Sequence, residues 1–136
     1  MPHRFVGVVE SGASDAARWL RLFNAEYNRK LGMSVFPGSL NLLLPEPFDW
    51  SAAFVTTNQI RFGREEYGGE RHILLVPCAL ESLGDVPAHL WRTTTPHVAR
   101  DAHVLEIISA VHLRSTYGLK DGDRVSIRLD DAVGSD

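Results

Sequence analysis

Four polar side chains interrupt otherwise apolar runs, and their types suit metal and phosphate chemistry. Ser39 and Asn41 stand two apart in Phe36-Pro-Gly-Ser-Leu-Asn-Leu-Leu-Leu44, so on an extended chain they share a face. A hydroxyl and an amide oxygen are hard, neutral donors for Mg²⁺, an ion that keeps several waters and draws negative charge from substrate phosphates. The same two residues also suit an ordinary turn that satisfies its own backbone. Glu106 breaks into Val104-Leu-Glu-Ile-Ile108. Burying a carboxylate unpaired is costly, and strand alternation sets Glu106 on the face of Val104 and Ile108. It reads as the acid of a pocket or as half of an ion pair with an arginine. Arg114, next to Leu113, has the fork that matches phosphate oxygens, although arginines more often lie on surfaces.

These residues need a scaffold. Pro37 fixes one backbone angle and Gly38 frees the next, so the loop before Ser39 can turn sharply or approach a ligand. Phe5 to Val9 reads as a strand bounded by Ser11-Gly12. Ser14 offers a helix N-cap, and Ala16, Trp19, Leu20, Phe23, Tyr27 and Leu31 recur at helical spacing before Gly32. This predicts one continuous helix with Arg18, Arg21, Asn24 and Asn28 on its polar face. Short apolar runs follow at 40–44, 52–55, 59–62, 72–79, 89–93, 104–108 and 124–129, separated by Pro45-Glu-Pro47, Gly68-Gly69, Gly84-Asp85 and Asp121-Gly122. Many short strands with one principal helix make a mainly β, α+β domain, either a barrel or a compact sandwich.

Bulk properties narrow the function classes. At 136 residues with 44% hydrophobic and 23% charged residues, the chain is one globular domain. Its net charge of −3 opposes general nucleic-acid binding, which needs a basic footprint. Cys78 is the single cysteine, which excludes an intrachain disulfide and a cysteine zinc site. In its apolar run it reads as a small buried hydrophobe. No stretch has membrane-spanning length and the amino terminus lacks the apolar core of a signal peptide, so a cytoplasmic location is expected. The six histidines show no zinc spacing. There is no phosphate-binding P-loop, no Gly-x-Gly-x-x-Gly and no Gly-x-Ser-x-Gly elbow. Residues 130–136 read as a flexible acidic tail after a domain over 1–129.

In order along the chain come a first strand ending in a Gly-containing loop, a helix, Pro37-Gly-Ser-Leu-Asn41 and Gly68-Gly69. After these come Thr95-Pro-His97, Leu105-Glu-Ile-Ile108, Leu113-Arg114 and Leu119-Lys-Asp-Gly-Asp123. As a set they resemble the archaeal-type, CTP-dependent riboflavin kinase family, over nearly the whole chain and most loosely from Pro45 to Pro96. The resemblance implies a small cradle-loop β-barrel that transfers phosphate from CTP to riboflavin, making FMN, with Mg²⁺ bridging the phosphates. It implies Ser39 (where threonine is usual) and Asn41 as metal ligands, and Thr95 and Glu106 as flavin contacts, with Glu106 catalytic. Gly12, Ser14, Leu113 and Arg114 are its implied nucleotide contacts. The implied partners are the small molecules riboflavin and CTP, with no nucleic acid and no membrane; a monomer is compatible with the sequence, which does not set the oligomeric state.

The chain departs from the family in one place. It reads Gly12-Ala-Ser-Asp-Ala-Ala17 where the family loop is glycine-rich. An Asp15 carboxylate about 5 Å from a phosphate charge costs roughly 3 kcal/mol at an effective dielectric near 20. Either Asp15 points away as part of the helix start, or this copy has lost or changed its donor. Two other expectations stand beside kinase activity: a barrel that binds flavin or nucleotide without turnover, and a swapped-hairpin DNA-binding regulator, suggested only by Leu119 to Leu129.

Overall fold

The computed structural model describes residues 3–11, 15–93 and 103–130. Seven strands form: β1 (His3–Glu10), β2 (Leu40–Leu43), β3 (Ile60–Phe62), β4 (Ile73–Leu80), β5 (Val86–Thr93), β6 (Val104–Ile108) and β7 (Arg124–Leu129). They pair antiparallel in the order β3-β4-β5-β6-β2-β1-β7. A second edge of β4 meets β7 through Ala79↔Arg128 and Leu80↔Ile127, which closes a six-strand barrel and leaves β3 outside it. Pro77 falls on β4 between the stretch paired to β3 and the stretch paired to β7. A residue without an N–H is tolerated where a strand edge lacks a partner. The expected small barrel in an α+β domain is therefore what the chain builds.

Alternation along the strands makes two apolar layers. Val9, Leu40, Leu42, Leu90, Leu105, Ile107, Val125 and Ile127 fill the barrel. Outside it, Ile73, Leu75, Trp91 and Ile108 form a second layer with Ala16, Leu20 and Tyr27. Those last three belong to α1 (Asp15–Leu22) and α2 (Asn24–Leu31), which lie over the outer face of the sheet. The indole N–H of Trp91 donates to the hydroxyl of fully buried Tyr27 at 2.8 Å. Desolvation holds that phenol well above its ordinary range. Cys78 packs against the barrel core, and burial pushes its thiol up to about 12, as a small hydrophobe requires. Among the described residues no helix is long and apolar enough to cross a membrane.

Three expectations are corrected. The single helix is two, broken at Phe23, whose φ of −121° leaves the helical range. Its ring stacks on Trp19 and meets Tyr67 edge-on at 4.9 Å, so packing beneath α4 (Arg64–Tyr67) takes precedence over regular winding. The run 52–55, read as a strand, forms the short helix α3 (Ala53–Thr56), where Val55 is buried. Asn24 and Asn28 do not make a solvated face; both bind backbone across a loop, as described next. Gly32 ends α2 in the left-handed conformation at φ 66°, as expected.

Candidate functional site

The loop before Ser39 is held from both sides. Asn28 accepts the Val35 N–H at 2.7 Å, and Asn24 donates its amide to the Val35 carbonyl at 2.9 Å. The two amides are linked at 3.3 Å. They are four apart, the spacing at which helical side chains meet, so α2 clasps both polar groups of one peptide residue. One step on, the Phe36 N–H donates to the Ser109 carbonyl at 2.9 Å, and the Phe36 ring stacks on His112 with centroids 4.8 Å apart. Ser109 is buried and bonds both backbone groups of Val111 through its hydroxyl, which turns the chain from β6 into α5 (Leu113–Tyr117). Replacing Asn28 by Leu strands the Val35 N–H. The expected result is a loss of about 1–3 kcal/mol in denaturant unfolding, with a raised KM for any ligand that rests on the 36–39 loop.

Beside this clamped loop lies a shallow, solvent-open groove whose walls include Phe36, Gly38, Ser39, His112, Leu113 and Arg114. Ser39 and the Leu113-Arg114 pair, more than seventy residues apart in sequence, thus face one space. Arg114 does not stand alone there. Its guanidinium donates to Asp121 at 2.7 Å and to Ser11 at 3.3 Å, and Ser11 donates to the same carboxylate at 2.8 Å. The Arg114 hydrogen bond, then that of Ser11, holds the Asp121 carboxyl below the usual carboxylate range. Neither Ser11 nor Asp121 was singled out by the sequence reading. The Asp-Gly turn places them: Gly122 adopts φ 95° and donates its N–H to Val9, while Val9 donates to Asp123. The turn is thereby stitched to the end of β1, directly before the Gly12 loop.

Asn41 and Glu106 lie on the outer face of the barrel. Register pairs Glu10 with Asn41, Asn41 with Glu106, and Glu106 with Trp91, so these four make one row across β1, β2, β6 and β5 on a single face. Trp91 belongs to the helix-covered layer. Glu106 is 5% exposed and accepts the Ala16 N–H of α1 at 3.2 Å. The buried acid is therefore anchored at a helix start, where unpaired N–H groups and the helix dipole favour negative charge. Asn41 is 9% exposed, and its side-chain oxygen is buried without a hydrogen-bond partner among the described residues. An orphaned buried acceptor costs about 1–3 kcal/mol. It is also what a cation ligand looks like before its ion arrives, so the residues present fit Mg²⁺.

Gly12, Ser14 and Thr95 lie outside the described residues, as does His97. Asp15 opens the backbone of α1, which agrees with its reading as part of the helix start.

A closed antiparallel barrel with a polar row under its helices defines a small one-domain α+β protein. The family model for CTP-dependent riboflavin kinases, described as "Domain of unknown function DUF120", matches residues 9–129. The chain belongs to this family of kinases. It is 29% identical to a riboflavin kinase of Aeropyrum pernix, over 92% of this chain and 94% of that protein. A riboflavin kinase of Staphylothermus marinus is 27% identical, with 96% and 95% covered. One of Saccharolobus solfataricus is 28% identical, with 90% and 71% covered.

Proposed function

We propose that the chain transfers the terminal phosphoryl group of CTP to the 5′-hydroxyl of the ribityl chain of riboflavin, giving FMN and CDP. The observation that carries this reading is the orphaned oxygen of Asn41, in register with buried Glu106 and next in β2 to Leu40, which lines the groove shared by Ser39 and Arg114. The family match and the names of the relatives support the reaction and the donor.

Phosphoryl transfer asks a protein for positioning and charge neutralisation rather than covalent chemistry. Ser39 and Asn41 hold Mg²⁺, which supplies positive charge to the phosphates when bound. Leu113 and Arg114 form one wall for the nucleotide, and Gly12 and Ser14 supply further contacts to it. Arg114 reaches the phosphates while Asp121 and Ser11 keep its fork in place. Glu106 orients the ribityl hydroxyl and takes its proton as the new P–O bond forms and the bond to CDP breaks. Its bond to the Ala16 N–H fixes the carboxylate in place. Thr95 contacts the flavin.

Purified protein incubated with riboflavin, Mg²⁺ and each nucleoside triphosphate in turn is expected to form FMN with CTP, read by chromatography. FMN with another triphosphate alone would keep the reaction and reassign the donor to the altered 12–17 loop. Quenched flavin fluorescence without FMN under any donor would replace the kinase by a flavin-binding barrel.

A further inference from the structure

The row that holds Asn41 has a third polar member with no stated task. Glu10 is the last residue of β1 and pairs in register with Asn41. Val9, its neighbour, points into the barrel core, so Glu10 shares the outer face with Asn41 and Glu106. Residues directly opposite in an antiparallel pair have Cβ atoms about 5 Å apart, a span that one cation can bridge with a donor from each side. Glu10 is partly buried, and among the described residues its carboxylate makes no hydrogen bond or ion pair. On the other flank of Asn41, Glu106 is bonded to the start of α1.

Charge makes the placement meaningful. Ser39 and Asn41 are neutral, and Mg²⁺ sites are usually built on one or two carboxylates together with substrate phosphates. A site of neutral donors alone holds its ion only once a nucleotide brings charge. A carboxylate next to Asn41 changes that. We propose that Glu10 is a further protein donor to the divalent cation seated on Asn41, and that this carboxylate lets the cation bind before the nucleotide does. The inference rests on reading Asn41 as a cation ligand and adds the residue that supplies negative charge.

The test uses Mn²⁺ with the full chain, free of flavin and nucleotide, and reads free ion by electron paramagnetic resonance. One saturable site is expected in the wild type. Glu10→Gln is expected to weaken it at least tenfold, and Glu10→Asp to recover part of the loss. Glu46→Gln, which changes an exposed carboxylate off the row, is expected to leave it unchanged. Thermal melts of each variant confirm the fold. A Glu10→Gln affinity within twofold of wild type, or no saturable site in the wild type, would overturn the inference. Either result is independent of whether FMN forms with CTP, so failure here and failure of the kinase reading are told apart.

Discussion

Asn41→Leu is expected to yield a protein that is more stable than the wild type and inactive. The side chain is buried and its oxygen has no partner among the described residues, so folding strips that acceptor of water without a replacement there. Leucine has the same count and branching of side-chain heavy atoms and no such acceptor, and it extends the apolar run of β2. The expected gain is about 1 kcal/mol, the lower part of the 1–3 kcal/mol that an unsatisfied buried group costs, measured as a shift in denaturant midpoint at constant slope. The same change removes a donor from the proposed cation site. Losing one preorganised electrostatic partner typically costs about 10²–10³ in turnover, so FMN formation should fall on that scale. A residue that is costly to the fold and kept for chemistry shows this opposition of signs. A stabilised variant with full activity would show that the orphaned oxygen is a packing accident and that the cation sits elsewhere.

The sequence disclosed the strands best where alternation was strong and both faces had a purpose. β6 and β7 occupy the expected 104–108 and 124–129, because Leu105 and Ile107 or Val125, Ile127 and Leu129 enter one core on every second residue. The break at Phe23 was hidden for a physical reason. The Phe23 N–H still reaches Trp19 at 2.9 Å and the Tyr27 N–H still reaches Phe23 at 3.0 Å, so the apolar period runs across the kink undisturbed. The 52–55 run could not be assigned from periodicity, since four apolar residues fit a turn of helix as well as a strand.

The site was legible in its residue types and less so in its partners. Ser39, Asn41 and Glu106 stand out as polar residues in or at the edge of apolar runs, and Arg114 as a phosphate-matching fork, which a single sequence displays. What engages them depends on which strands are neighbours. Glu106 meets Ala16 and Asn41 only because β2 pairs with β6 under α1. Arg114 meets Asp121 only because Gly118 ends α5 at φ 63° and the next turn docks on Val9. The clasp of Asn24 and Asn28 on Val35 was available as an i, i+4 amide pair, but its target became visible only once Gly32 had turned the chain back.

Glu106 offers the second large effect, and two substitutions separate its duties. Glu106→Gln retains an oxygen that can accept the Ala16 N–H, so the start of α1 persists and stability is expected to stay within about 1 kcal/mol, the most that charge at a helix start usually adds. An amide accepts no proton at neutral pH. If Glu106 takes the proton from the ribityl hydroxyl, kcat falls by about 10²–10⁴, the usual worth of general base catalysis, while the KM for riboflavin changes little. Glu106→Ala removes the acceptor as well. It strands the Ala16 N–H and opens space beneath α1, so it should lose activity to the same degree and also about 1–3 kcal/mol of stability. Activity retained in the Gln variant together with instability in the Ala variant would reduce Glu106 to an anchor for α1. Activity lost in both, with stability lost only in Ala, assigns one carboxylate to both tasks. That outcome also gives a reason for its burial: the helix start that holds the acid in place is the same element that shields it from water.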